Sequence, residues 1–482
     1  MTDQDKPVAQ GRLRRTLPLA GLTARTLGER FLAEVRERTG ETGAMDRFHE
    51  RTAARYTDFL GDSKGAMMKI GQLMSMIDLQ GDDAAGRSPY QEALTKLQSD
   101  APPMAPEVLH AVLVKELGAA VDLFAEFDDK PLAAASIGQV HRAVMRDGRD
   151  VAVKIQYPGV AQAIQEDLAN TELMATLVRF ATSASSGGTT VFDHRSLVHE
   201  MAEKIGEEVD YRREAETITQ FADLYRGHPF IHVPEVVPEA STDRVLTMTY
   251  LDGMDWAAAQ QADQDLKDTW AEVVIRFSDG NFRHSNLLYA DPHPGNYRFR
   301  PDGSVGFVDF GCVKVLSEEK RALWVSIMRN VIDGDIDALR RDLVVAGFIH
   351  EDSTLTAQDI YGWYSQVLYE VVLAPQPAIY SPQSGARTAR WLFNLDAENP
   401  LSRMVVPEDY VFAPRIYQAI STICGALEAT VPARAIADDM DGIAEPVTRL
   451  GRLHHDWLRE RGLPPTGGQP RSTDLSEVQP HG

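Results

Sequence analysis

Cysteine is almost missing from this chain: Cys312 and Cys424 are the only two, too few for a disulfide framework and in keeping with a reducing compartment. Long apolar runs are missing too. No window approaches the roughly 20 residues needed to span a bilayer, because charge, Gly or Pro cuts every candidate. The N-terminus lacks the uninterrupted apolar core of a signal peptide. These absences set the expectation of a cytoplasmic protein, soluble or peripheral at a membrane. Cations are also scarce. With 49 Lys and Arg against 71 Asp and Glu, the net charge of −22 argues against nucleic acid as a partner, which normally requires a basic face.

The scarcity of cations is uneven. Residues 1–60 hold Arg12, Arg14, Arg15, Arg25 and Arg30 among Leu13, Leu17, Leu22, Leu27 and Phe31. Such a basic amphipathic segment suits either an anionic membrane surface or one side of a domain. Residues 61–130 continue with helical periodicity. Residues 131–250 alternate as strands from Ala133 to Gln156, around a turn at Arg146–Arg149, and a second strand pair is expected at Ile231–Val237 and Arg244–Tyr250. Helical patterns return over about 160–225, between the two strand groups, and residues 251–345 and 346–461 are mainly helical apart from a hairpin near 297–309. Residues 462–482 read as a polar, Pro- and Gly-rich tail. A small sheet-containing lobe joined to a larger helical one is the architecture this order predicts, an α+β fold.

Chemistry concentrates between residues 291 and 311, DPHPGNYRFRPDGSVGFVDFG. Asp291 is followed five positions later by Asn296; a strand, a Pro-Asp-Gly-Ser turn and a second strand then lead to Asp309 in an Asp-Phe-Gly. Phosphoryl transfer uses this set: an Asp beside the attacking group, then an Asn and an Asp holding Mg²⁺ against nucleotide phosphates. An ordinary acidic loop before a hairpin is the plainer alternative.

Upstream, Val151-Ala152-Val153-Lys154 is an apolar strand ending on a cation, in the position of a phosphate-contacting lysine. Exposed strands carry Lys too, so its place after a possible phosphate-covering turn is what gives it weight. That turn lacks glycine. In the frame G-x-G-x-x-G-x-V the chain reads Ala133-Ala134-Ala135-Ser136-Ile137-Gly138-Gln139-Val140, which keeps only Gly138 and Val140. Each added methyl restricts φ and crowds an approaching phosphate. Met248–Leu251 follows the last predicted strand and reads either as a hinge offering backbone groups to adenine or as a strand end.

The AAAS before GQV, DPHPGN and VDFG strings, with Lys69-Ile70-Gly71-Gln72 and Glu208-Val209-Asp210-Tyr211-Arg212-Arg213-Glu214, resemble the UbiB (AarF) family of atypical protein-kinase-like proteins. The resemblance runs from about residue 60 to residue 345. It implies a two-lobed kinase-like fold with a helical N-terminal extension and extra C-terminal helices. It also implies residue roles: Lys154 paired with Glu214 and orienting phosphates, Asp291 in the catalytic loop, and Asn296 and Asp309 on Mg²⁺. Lys69 and Gln72 would lie over the site, with Lys69 near Glu208. Spacing alone selects neither Lys69 nor Glu208, which is one acid among several.

The resemblance further implies ATP (or ADP) and Mg²⁺ as cofactors and an ATPase or small-molecule or lipid kinase activity. Its expected setting is isoprenoid-quinone (ubiquinone) biosynthesis or lipid homeostasis, with membrane lipid, quinone intermediates and biosynthetic proteins as partners. Two other functions fit parts of the pattern. A nucleotide-gated lipid-binding scaffold suits the alanine-rich turn. An antibiotic- or choline-type small-molecule kinase shares the Asp–Asn–Asp-Phe-Gly logic without needing the Lys69–Gln72 string.

Overall fold

Val151, Val153 and Ile155, alternating with more polar neighbours, build the middle of an antiparallel sheet. The computed structural model describes residues 29, 32–33, 36–37, 43, 47–48, 50–52, 103–134, 137–168, 206, 209–385, 404–410 and 412–463. Lys69, Gln72, Ala135, Ser136, Glu208, most of residues 1–60 and the 464–482 stretch lie outside these. The described chain forms two compact units. One holds the described residues through Ile218 with Glu235–Tyr250; the other holds Thr219–Pro234 and the described residues from Leu251 onward.

In the first unit, helix α1 (Pro106–Leu117) starts on a proline and buries Leu109, Leu113 and Leu117 at four-residue spacing. It ends at Gly118, whose φ of 56° favours glycine. Strands β1 (Phe124–Phe127), β2 (Ala133–Ala134), β3 (Gly138–Met145) and β4 (Asp150–Gln156) follow. Next come α2 (Val160–Leu168), α3 (Tyr211–Leu224), whose residues from Thr219 count with the second unit, β5 (Ile231–His232), which lies wholly in the second unit, and β6 (Val245–Thr249). The sheet runs β1–β3–β4–β6 with β2 beside β3. Val151, Val153 and Ile155 form one core with the α1 leucines, Phe124, Met145 and Val245. Period two therefore sends Ala152, Lys154 and Gln156 to the opposite face. Burying each of these aliphatic side chains contributes about 1.5–3 kcal/mol, and a one-residue slip would drive Lys154 into the leucines, so register is firmly set.

Two strand expectations need correction. The sheet begins before Ala133, because Phe124–Phe127 pairs with β3; four residues are too few for alternation to show. Ile231–Val237 does not pair as a unit with Arg244–Tyr250. Only Val236 bridges Met248, while Ile231–His232 pairs in parallel with residues 305–306, both within the second unit.

In the second unit, α4 (Gln264–His284) is buried nearly all round from Trp270 onward, the mark of a helix surrounded by protein. Strands β7 (Leu287–Tyr289), β8 (Tyr297–Phe299), β9 (Val305–Phe307) and β10 (Val313–Val315) follow. Helix α5 (Glu318–Asp333) is capped by the Ser317 hydroxyl, which accepts the Lys320 N–H, and closes on Gly334 at φ 73°. Then come α6 (Ile336–Val345), α7 (Ala357–Leu368), α8 (Ala413–Ala426), α9 (Ala433–Met440) and α10 (Arg449–Arg461). Both cysteines are buried, and burial pushes the Cys424 thiol up to about 12, so these thiols serve packing. No described helix is long and apolar enough to cross a membrane.

A polar knot fixes α9 and α10 to α4. The fully buried Arg276 guanidinium donates to both Asp439 oxygens at 2.8 and 2.7 Å and to Glu272 at 2.8 Å. The Thr448 hydroxyl donates to Glu272 at 2.6 Å. A methyl on Gly451 would lie 2.7 Å from Arg276 Nη2, so glycine is required there. Removing one partner of a buried pair strands the other, at a cost of about 3–5 kcal/mol. Asp439→Ala is therefore expected to destabilise by that amount, read as a lower urea midpoint. A shift below 1 kcal/mol would show that Glu272 alone satisfies the arginine.

Candidate functional site

In the first unit, strand phase and helix phase bring Lys154 and Glu214 together. Lys154 leaves β4 on the face away from α1. On α3, Tyr211, Glu214 and Ile218 share one helical face, spaced three and four residues apart. The Lys154 ammonium donates to both Glu214 oxygens, at 2.7 and 2.9 Å, and lies 5.2 Å from the centre of the Tyr211 ring. Lys154 is 7% exposed and Glu214 3%. A buried ammonium held from two oxygens has a fixed direction, as contact with a phosphate requires.

The alanine-rich segment starts as strand. Ala133 pairs with Val140 and Ala134 with Gln139, while Val140 faces Lys154 across the next ladder. Gly138 has a packing role as well, because a methyl there would collide with the Ile155 carbonyl oxygen of β4. Met248 lies in β6, opposite Ala152. The N–H groups of Thr249 and Tyr250 already donate to Glu235 and Asp150 carbonyls, and Leu251 opens the second unit.

In the second unit, two short ladders clamp two loops. β7 pairs with β10, matching Tyr289 with Val313; β8 pairs with β9, matching Tyr297 with Phe307. The loop 290–296 joins β7 to β8, and 308–312 joins β9 to β10, so both loops lie between the same two ladders. Bonds from Ala290 N–H to the Cys312 carbonyl (3.0 Å) and from Val308 N–H to the Asn296 carbonyl (3.0 Å) tie them. Asp291, Asn296 and Asp309 are thus held in neighbouring loops, each partly accessible. His293 Nδ1 accepts the Gly295 N–H at 3.1 Å and caps the 3₁₀ turn Pro294–Asn296, a structural role. Asp309 Oδ1 accepts the Gly311 N–H at 3.0 Å.

This donor set fits a hard cation. Among the described residues no cluster of three or more His, Cys, Asp or Glu is built as a cage. A carboxylate from Asp309 and an amide oxygen from Asn296 form the sparse set that Mg²⁺ takes, keeping waters and binding substrate phosphates.

One neighbour escaped the sequence reading. Tyr289 ends β7 buried among Phe277, Phe310 and Tyr297. Burial first, then Tyr297 and the carboxylates of Asp291 and Asp309, push its hydroxyl well above the usual range. Asn296 is close enough to temper that rise, yet no described group makes a hydrogen bond of ordinary geometry to the hydroxyl. Only its place two residues before Asp291 hinted at this role.

The chain is similar to known proteins over most of its length. The model of the ABC1 atypical kinase-like domain matches residues 96–343. Atypical kinase COQ8B, mitochondrial, of Rattus norvegicus is 31% identical over 96% of this chain and 84% of its own. Atypical kinase COQ8, mitochondrial, of Saccharomyces cerevisiae is 33% identical over 55% of this chain; the chain spans about half of that protein, 51%. A solved complex of Rv3197 with erythromycin from Mycobacterium tuberculosis superposes with a TM-score of 0.57 at 30% identity, covering 86% of this chain and 99% of that one.

Proposed function

The chain belongs to the ABC1 atypical kinase-like family, the UbiB or AarF proteins, with their α+β kinase-like fold, and from that premise we propose that it binds ATP with Mg²⁺ and either hydrolyses it or phosphorylates a small molecule or lipid. The observation that carries this reading is the buried Lys154–Glu214 pair, present together with the clamped Asp291, Asn296 and Asp309 loops. In this proposal Lys154, steadied by Glu214, orients phosphate oxygens. Asn296 and Asp309 hold Mg²⁺, which neutralises charge developing on the transferred group. Asp291 accepts a hydrogen bond from the attacking hydroxyl or water and takes up its proton as the new bond forms.

The family resemblance extends the proposal to isoprenoid-quinone biosynthesis or membrane lipid homeostasis, with quinone-like or lipid molecules as partners. Lys69, Gln72 and Glu208 enter as proposed restrictors of access, and Met248 and Leu251 as the proposed adenine-side backbone. A nucleotide-gated lipid-binding scaffold is the second reading, supported by the alanines that replace the expected glycines at 133 and 135.

Purified protein is expected to release phosphate from ATP only with Mg²⁺, and faster with liposomes or a quinone-precursor phenol. Nucleotide-dependent liposome binding without turnover favours the scaffold. Absence of any Mg²⁺-dependent ATP binding overturns both.

A further inference from the structure

We propose that the Tyr289 hydroxyl is a positioning group for the metal ligands: it accepts a hydrogen bond from the Asn296 side-chain N–H, turning the Asn296 carbonyl oxygen to the cation, and its own O–H serves a carboxylate of Asp291 or Asp309. This deepens, and rests on, the Mg²⁺–nucleotide reading above.

A primary amide can face a cation usefully in only one of its two orientations, because the NH₂ end repels it. Something must therefore choose the orientation of Asn296. Tyr289 is suited to do so. It is 1% exposed and fixed at the end of a paired strand, between Phe277 at 5.2 Å and Phe310 at 5.7 Å, so its ring direction is set by packing. Tyr297 and the three site residues Asp291, Asn296 and Asp309 are among the polar groups near its hydroxyl. The hydroxyl lacks a hydrogen bond among the described residues. Phenylalanine would fill the same space without that cost, so the oxygen is retained at a loss of stability. Groups that orient metal ligands from behind are known to change metal affinity by 10–100-fold.

The test compares Tyr289→Phe with wild type by melting temperature, titrating Mg²⁺ at fixed ATP. The variant without ligands should melt at or above the wild-type temperature. Its half-maximal Mg²⁺ concentration for ATP-dependent stabilisation should rise about tenfold. In an Asn296→Asp background, where both ends of the side chain are oxygen, adding Tyr289→Phe should change the Mg²⁺ requirement less than twofold. An unchanged Mg²⁺ midpoint in Tyr289→Phe overturns the proposal while leaving the parent reading intact. So does a tenfold effect that persists in the Asn296→Asp background. A wild-type protein that gains no stability from Mg²⁺ and ATP overturns the parent reading itself.

Discussion

Asp309→Asn is expected to lower Mg²⁺-dependent ATP turnover by roughly 10²–10³-fold in a protein that stays folded. The two halves of that expectation have separate causes. Asp309 Oδ1 accepts the Gly311 N–H, and an asparagine oxygen can do the same, so the loop keeps its shape. The negative charge does not survive the change. In the proposed site Asn296 is already neutral, so the variant would offer the cation two amides in place of an amide and a carboxylate. Removing one preorganised charge from a transition state of high charge density raises the barrier by several kcal/mol, each 1.36 kcal/mol being tenfold in rate. Steady-state turnover against Mg²⁺ concentration, beside a melting curve, measures both halves. Wild-type turnover in the variant would overturn the proposed role of Asp309 as a metal ligand.

The second large effect is expected from acid. His228 Nδ1 accepts the N–H of Ile231 at 3.0 Å, so in its neutral form the proton is on Nε2 and is donated to His454 Nδ1 at 3.0 Å. His454 must then carry its proton on Nε2 and donate to His284 Nε2, also at 3.0 Å. Each tautomer is dictated by the one before, and the last N–H, on His284 Nδ1, has no acceptor among the described residues. An added proton breaks this relay.

Burial, then Arg283, His455 and Arg321, hold His284 down to about 3. Burial first, then neighbouring histidines and Arg276, keep His228 and His454 well below the ordinary range. His232, near His228, is lowered by burial and Arg300. His455 contacts Asp439, the nearest carboxylate in this group. Because the folded values are depressed, the unfolded chain takes up protons first. Stability is complete above about pH 6.5 and falls as pH drops toward the folded values. The loss is expected to grow steadily as the pH drops from 7 to 5. Urea unfolding at pH 7, 6 and 5 should show this slope, and His454→Leu should flatten it. A pH-independent wild-type midpoint over that range would sink the idea.

Legibility in the sequence followed the range of the interactions. Lys154 could be placed because a strand's period is local: apolar neighbours on both sides fix which face it takes. The 291–311 hairpin was equally open, its turn and strands lying within 21 residues of sequence. Glu214 needed the family pattern, since several acids lie nearby and only the phase of α3 against Tyr211 and Ile218 selects it. The partner of Ile231–His232 was hidden because a two-residue strand carries no mark of the β9 edge it will join. The Arg276–Asp439 pair and the histidine relay were beyond reach, with partners 163, 226 and 170 residues apart. Nothing in a lone buried arginine or histidine announces its complement. The Lys69–Gln72 string and Glu208 lie outside the described residues.

The short helix α9 has a consequence for where this chain divides. Asp438, Asp439 and, just beyond the helix, Asp441 answer Arg329, Arg276 and Arg283, which come from two other helices. A chain cut ahead of Ala433 would keep every motif between Ala133 and Gly311 yet take one carboxylate from each of three arginines, leaving Arg276 with Glu272, Arg329 with Asp333 and Arg283 with Asp279. Inheritance of the chemistry and autonomy of folding thus have different borders here. The Asp291–Gly311 string ends at Gly311, but the buried partners of its supporting helix α4 reach on to Asp439 in α9 and His454 in α10.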